Sequence, residues 1–229
     1  MENLTIRTKA FSRFIQILDS SFPSGSFVHS FGLEPHIVLN VVRDDKCLKR
    51  FLENLIIDQY QKFEFVYAKA VFKLLNEERL DLLIKEDNKY SCMLSYEFSK
   101  ASCDIGKNYL KHINFDISNS IVKKYFKAVQ SEKSAGNEMI VLSAYAYELG
   151  LGCDSFLLLW CKKNIVNIAY ASLKISRIKP SQIQQLLFEF DDILEELIKN
   201  SLNQASNFNP LFEEVIFSHK NQEPKMFVT

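Results

Sequence analysis

The sequence contains few of the residues that interrupt a helix. Of its 229 residues only 6 are glycine and 5 are proline, less than half of the ~7% and ~5% at which these residues occur in average proteins. A sandwich or barrel of many short strands needs a turn signal every ~8–12 residues. The scarcity of glycine and proline therefore disfavours an all-β fold and favours helices.

Neither sign of charge is in excess, because 28 lysine and arginine residues balance 28 aspartate and glutamate residues. A nucleic-acid-binding protein usually carries a basic patch or stripe, so the balance predicts no nucleic-acid partner. A net charge near zero also offers little self-repulsion against association. The composition therefore favours a protein that works in contact with other proteins.

Paired cysteines and long apolar runs are missing as well. The 5 cysteines are odd in number and form no CxxC pair, so the sequence signals neither a disulfide framework nor a zinc ribbon. The most apolar run, 156–161, is far shorter than the ~20 residues of a membrane-spanning helix, and residues 1–10 lack the apolar core of a signal peptide. These absences predict a cytoplasmic protein without a membrane segment.

The sequence does contain apolar residues at helical spacing. Phe11, Phe14 and Leu18 lie on one stripe, and a longer stripe runs from Ile183 to Ile198, which is typical of amphipathic helices. We predict an all-α, single-domain bundle of about eight to ten helices over residues 1–203. Residues 204–229 are polar with isolated apolar anchors, and we predict a C-terminal tail that becomes ordered when a partner binds, with a plain disordered terminus as the alternative.

No set of catalytic residues is complete in this sequence. Ser24-Gly25-Ser26 is not followed by the Gly-Lys-Ser/Thr of a P-loop, and the glycine pair at 150–152 lacks the third glycine and the strand of a dinucleotide-binding turn. Neither a GxSxG elbow nor a Cys-His signature is present. The sequence therefore predicts a protein that is not an enzyme, with no catalytic residue, no metal ligand and no cofactor.

Histidine supplies the one chemical alternative. His29 and His36 are seven residues apart with Glu34 between them, but Pro35 interrupts the helix that would align them. A transition-metal site also needs about three supported ligands. We interpret His29 as a packing or hydrogen-bonding residue and predict that His36 is exposed, and we keep a metal-dependent helical enzyme as the less favoured alternative.

The most specific pattern in the chain runs from Phe14 to Glu34 as FIQILDSSFPSGSFVHSFGLE. It resembles the N-terminal signature of the UreF family of urease accessory proteins, roughly L-Q-L-x-D-S-x-x-P-x-G-x-F-x-H-S-x-G-L-E. The central stretch 99–107 resembles the family's S-x-x-x-G-R helix, with lysine at 107 in place of arginine. The stretch 210–227 resembles its P-x-x-x…H-E-x-Q-x-x-x-L-F ending, with lysine at 220 in place of the acidic residue.

The resemblance implies an all-α, cytoplasmic homodimer that is not itself an enzyme. Such a protein would bind the accessory protein UreD, also called UreH, and would recruit and regulate the GTPase UreG. The assembly would act on the urease apoprotein so that nickel reaches its active site. A helical adaptor unrelated to urease is the alternative function.

The resemblance also implies which residues contact partners. In the signature stretch, proline and glycine would set the backbone bend, phenylalanines would act as anchors, and His29, Ser30 and Glu34 would make polar contacts. A second interpretation, that His29 and Ser30 only brace the start of a helix, stays open. The predicted partner-binding residues are Phe22, Pro23, Gly25, His29, Ser30, Phe31, Glu34, Pro210, His219, Gln222 and Phe227.

Overall fold

A computed structural model describes residues 8–25, 30–114, 117–175, 178–200, 202, 204–206, 214–215, 217, 223 and 225–226. Every regular element in this part of the chain is helical, which confirms the predicted all-α class. The elements are α1 (Thr8–Leu18), α2 (Leu33–Val38), α3 (Asp45–Asn54), a π-helical segment (Leu55–Glu64), α4 (Phe65–Asn76), α5 (Leu80–Met93), α6 (Tyr96–Ile113), α7 (Ser120–Gln130), α8 (Glu138–Glu148), α9 (Cys153–Ile175) and α10 (Pro180–Lys199).

The helices begin and end at residues whose local chemistry explains the boundary. The Asp44 carboxylate accepts the N–H of Cys47 at 2.8 Å at the start of α3, as an N-cap residue does. At the end of α8, Gly150 has a φ of 75°, a left-handed conformation that suits glycine. Helix α10 begins at Pro180, whose fixed φ suits the first helical position.

The run from Asp45 to Asn76 is one uninterrupted helical path in which α3, the π-helical segment and α4 follow one another. At its centre the hydrogen bonds widen by one residue, as shown by the N–H of Phe65, which donates to the carbonyl of Tyr60. The apolar spacing alone predicts two separate helices over this run. The structure differs because a π-helix shifts the periodicity of the buried residues without requiring glycine or proline.

By its contacts the chain divides into two compact units. Unit 1 comprises Met1–Gly25 with Val66–Leu159, and unit 2 comprises Ser26–Phe65 with Trp160–Thr229. In unit 1, nine of the eleven residues of α8 are buried, from Glu138 to Ala146, and this helix packs mainly against α6. A helix that is apolar all round belongs in a core, so α8 forms the centre of unit 1.

Unit 2 is built on the apolar stripe of α10, which packs against α3 and the π-helical segment. The buried residues of this stripe recur mostly every third or fourth position from Ile183 to Ile198, which confirms the predicted helical face. The ring of Tyr60 meets that of Trp160 edge-on with centroids 4.9 Å apart, a favourable aromatic geometry. Among the described helices, none is both long and apolar enough to cross a membrane.

Candidate functional site

The first half of the signature stretch forms a tight loop of unit 1 directly after α1. The carboxylate of Asp19 accepts the N–H of Ser21 at 2.8 Å and also the hydroxyl of the same serine. Both hydrogen bonds lower the pKa of Asp19 below its usual value, and the one from the hydroxyl has the larger effect. The chain then turns again, because the N–H of Phe22 donates to the carbonyl of Asp19 at 3.0 Å. Asp19 is thus the residue that organises the loop.

The loop is held by helix α6. The Asn108 amide donates to the carbonyl of Ser24 at 3.2 Å. The next residue, Gly25, has a φ of 82°, which a side chain with a Cβ adopts only with strain. Pro23 and Gly25 are exposed, so these two predicted residues lie at the surface of the loop.

Phe22 fills a different role from its exposed neighbours. Its ring stacks on Tyr109 with centroids 5.4 Å apart and meets His112 edge-on at 5.7 Å. Both contacts come from α6 within the same unit. The half-buried Phe22 side chain therefore anchors the loop, and part of its surface remains exposed.

The second half of the signature stretch belongs to unit 2 and leads into α2. Phe31 and Gly32 both have positive φ values, 50° and 86°. The buried hydroxyl of Ser30 accepts the N–H of Glu34 at 3.3 Å, and the carbonyl of Ser30 accepts the N–H of Leu33 at 3.1 Å. Ser30 thus braces the start of α2, and any further contact with a partner stays a prediction.

Glu34 is a carboxylate with only 1% of its surface exposed. Its Oε1 atom accepts the backbone N–H of Met226 at 2.7 Å, so a residue of the C-terminal tail reaches the signature stretch. Burying an ionised carboxylate is costly unless donors compensate. The Met226 N–H supplies one such donor.

His36 is buried, so the prediction that it is exposed was wrong. Its ring packs edge-on against Phe51 with centroids 4.9 Å apart, and its Nδ1 atom lies 2.6 Å from the carbonyl oxygen of Gly32. Burial lowers the pKa of His36, and the Gly32 carbonyl opposes this only in part. The error has a physical reason, since a helix of six residues is too short for periodicity to show which side is covered.

Five of the predicted partner-binding residues lie outside the described residues. They are His29, Pro210, His219, Gln222 and Phe227.

The structure also contains a buried polar cluster that sequence reasoning missed. Asp87 of α5 has no exposed surface, and its Oδ2 atom accepts the hydroxyls of Tyr125 at 3.0 Å and Ser134 at 2.6 Å. The same oxygen accepts the N–H of Gly136 at 2.7 Å. Oδ1 accepts the side-chain amide of Asn137 at 2.8 Å and its backbone N–H at 3.1 Å. One carboxylate thus holds three of the four residues of loop 134–137.

The loop fits against α6 without room for a side chain on Gly106. A Cβ atom at this position would lie 2.1 Å from the carbonyl oxygen of Gly136 and 2.8 Å from backbone atoms of the following residues. Ser102 on the same helix accepts the N–H of Glu138 at 3.2 Å. The central S-x-x-x-G-K stretch and the loop before α8 are therefore one packed structure.

A sequence signal for Asp87 did exist. It lies four residues after Leu83 and three before Tyr90, and all three residues are buried on one face of α5. An acidic residue at such a position needs donors from elsewhere in the fold. Small polar loops are common, so the sequence does not indicate that 134–137 supplies them.

The described residues contain no group of three or more His, Cys, Asp and Glu side chains that could hold a metal ion. Two cysteines are also poor candidates for nucleophiles. Burial raises the pKa of the Cys153 thiol to about 12 and that of Cys161 further still, so both stay protonated at neutral pH.

Comparison with known proteins agrees with the resemblance of the signature stretch. The UreF family model matches residues 42–191, a range that begins after the signature stretch. The urease accessory protein UreF of Streptococcus thermophilus is 23% identical over 220 residues, which cover 94% of this chain and 93% of that protein. The protein of the same name from Ureaplasma urealyticum is 23% identical over 224 residues, 94% of each chain. That of Bacillus sp. strain TB-90 is 24% identical over 185 residues, 80% of this chain and 82% of that protein.

Proposed function

Because this chain belongs to the UreF family, we propose that it is a non-catalytic protein of the urease maturation machinery, a homodimer that binds UreD (UreH) and recruits the GTPase UreG. The assembly would regulate UreG and act on the urease apoprotein so that nickel enters its active site. The observation that carries the proposal is similarity to urease accessory proteins over 94% of the chain.

The geometry of the signature stretch supports a binding role. Loop 19–25 is held from within by Asp19 and Asn108, while Pro23 and Gly25 stay exposed. A surface held in one conformation loses little entropy when a partner binds. This is the arrangement expected of a docking loop.

A co-purification experiment tests the proposal. Tagged full-length chain is expressed with UreD and UreG, alone and together, and urease activity is measured in cells with and without the chain. We expect UreD to co-purify with the chain, UreG to join only when UreD is present, and urease to stay inactive without the chain. Normal urease maturation in its absence, with neither protein retained, would exclude the proposed function.

A truncated chain ending at residue 203 is the matched variant for the tail. If the tail is the part that UreD binds, the truncated chain stays helical by circular dichroism but loses UreD. Undiminished UreD binding by the truncated chain would assign the contact to the helical units instead. GTP hydrolysis by UreG, measured with and without the complex, then gives the direction of the regulation.

A further inference from the structure

The solvent-facing side of α7 is basic. Its exposed residues are Lys123, Lys124 and Lys127, with the neutral Ser120 and Gln130 at the two ends. The helix contains no aspartate or glutamate. Its apolar residues are buried in unit 1, so all three positive charges lie on the one side that faces solvent.

This arrangement of charge is unfavourable within the helix itself. Lys127 lies four residues after Lys123 and three after Lys124, and like charges at these spacings repel each other on a helix. Lys123 also lies at the end of the first turn of α7, where the helix dipole favours negative charge. The local electrostatics of α7 therefore disfavour the three lysines.

Carboxylates on the helices next to α7 bond to other groups. Helix α7 packs against α5, α6 and α8. On α5, Asp87 holds loop 134–137, and Glu86 pairs with Lys89 at 3.4 Å. On α8, Glu148 accepts two backbone N–H groups just before α7 at 2.8 and 2.9 Å. These carboxylates are therefore engaged elsewhere.

Lysines on other helices do have acidic partners. Lys49 of α3 bonds to Glu189 of α10 at 2.6 Å, and Lys162 of α9 bonds to Asp191 of α10 at 2.6 Å. Within the part of the chain that the structure describes, none of the three lysines of α7 forms an ion pair. This face thus has charge that the fold itself does not compensate.

The make-up of the face selects the class of partner. No apolar or aromatic side chain is among the exposed residues of α7, whereas a helix at a membrane surface has an apolar side and proteins bind single-stranded nucleic acid with aromatic stacking. The chain has no excess of positive charge, which is typical of proteins that bind duplex nucleic acid. An acidic protein surface needs none of these features.

We propose that the α7 basic face, defined by Lys123, Lys124 and Lys127, docks the chain onto an acidic surface of a partner protein. Opposite charges steer the encounter of two proteins and fix its orientation, and carboxylates of the partner would relieve the repulsion between the lysines. That this partner belongs to the urease maturation assembly rests on the proposed function.

A neutralised variant tests the α7 basic face in the full-length chain. Lys123, Lys124 and Lys127 are all changed to glutamine, and affinity for UreD, and for UreD with UreG, is measured at low and at high salt. The matched control loses three charges from three other helices, through glutamine at the exposed positions Lys9, Lys46 and Lys100.

We expect the α7 variant to bind about tenfold more weakly at low salt and to depend less on salt than the wild type. The control should bind like the wild type, because it changes the net charge equally without touching α7. Wild-type affinity and salt dependence in the α7 variant would overturn the inference, and so would an equal loss of affinity in the control.

Urea denaturation separates lost docking from a damaged fold. Because the substitutions remove like charges from one helix face, the α7 variant should unfold at the same urea concentration as the wild type or at a higher one. A marked loss of stability together with weak binding would mean that the lysines serve the fold, and the inference would be wrong.

A polyglutamate peptide tests the face without any accessory protein. In an NMR titration of the isolated chain, we expect the amide shifts to concentrate on α7 and to disappear in the α7 variant. Shifts spread evenly over the exposed lysines would overturn the inference, as would stronger binding of α7 to duplex DNA or to anionic vesicles than to the peptide. If the wild type binds neither UreD nor UreG, the proposed function fails, and the peptide titration still decides on the α7 basic face.

Discussion

Asp87 in unit 1 and Glu34 in unit 2 are both buried carboxylates that accept backbone N–H groups from distant parts of the chain, but they hold very different segments. Asp87 holds a loop that is itself buried, through hydrogen bonds from Ser134, Gly136 and Asn137. Glu34 holds Met226, whose side chain is 55% exposed. The same chemistry thus fixes a core loop in one place and a surface segment in the other.

This difference shows that the surroundings of a hydrogen bond determine how much it contributes to the stability of the fold. Around Asp87, several donors, the close approach of Gly106 and the burial of α8 all depend on one another, so losing one contact weakens the rest. At Glu34, the segment that is held has exposed neighbours, and we expect water to replace it when it leaves. We therefore expect substitutions at Asp87 to affect folding and those at Glu34 to affect the tail.

The largest effect is expected from Asp87→Asn. The side-chain amide of the new asparagine would place its own N–H group among the donors that bond Asp87 in the wild type. At least one of these donors would then lack an acceptor in the core. We expect a loss of about 3 kcal/mol or more in the free energy of unfolding, measured by urea denaturation. Glu34→Gln is the comparison variant and should cost about 1 kcal/mol. Equal losses in the two variants would show that the two carboxylates contribute equally to the free energy of unfolding.

Gly106→Ala tests the same loop from the side of α6. Because the new Cβ would lie 2.1 Å from the Gly136 carbonyl oxygen, the loop must shift away from its Asp87 partners. We expect a loss of about 2 kcal/mol in the free energy of unfolding. The control is Gly152→Ala, since a Cβ there meets nothing within 4 Å, and it should stay within about 0.5 kcal/mol of the wild type. A neutral Gly106→Ala would mean that the loop is not tightly packed.

Acid should weaken unit 2 through His36, two residues after Glu34. Its pKa in the folded chain is lowered by burial, so the unfolded chain binds a proton first as the pH falls. Stability is therefore complete above the unfolded value of about 6.5 and decreases below it, at no more than about 1.4 kcal/mol per pH unit for this group. Urea denaturation at pH 7.5 and pH 5.5 measures the difference. In His36→Gln the dependence should be smaller, and an unchanged dependence would assign it to other groups.

The smallest effect on stability is expected from removing the tail after residue 203. The lost contacts include the bonds to Lys62 and Glu34, and water can reach Glu34 once the tail is gone. We expect the free energy of unfolding to fall by about 1 kcal/mol or less. A loss comparable to that of Asp87→Asn would show that the tail is part of the core of unit 2.

Several elements were predictable because their determinants are local. The Asp44 cap, the end of α8 at Gly150 and the apolar face of α10 all follow from residues adjacent in sequence. The π-helical segment was not predictable, because no residue type marks the change in hydrogen bonding. The burial of His36 depends on Phe51, fifteen residues away, and local pattern carries no information on such a contact.

The sequence by itself determined the helical class, the apolar face of α10 and the family, since spacing and motif are both properties of neighbouring residues. It also identified Pro23, Gly25 and Glu34 as residues of interest. Only the tertiary structure decided which polar residues are buried and what they bond, as at Asp87 and at Glu34. The physical reason is that a buried carboxylate is stable only with donors around it, and here those donors come from segments between 38 and 192 residues away along the chain.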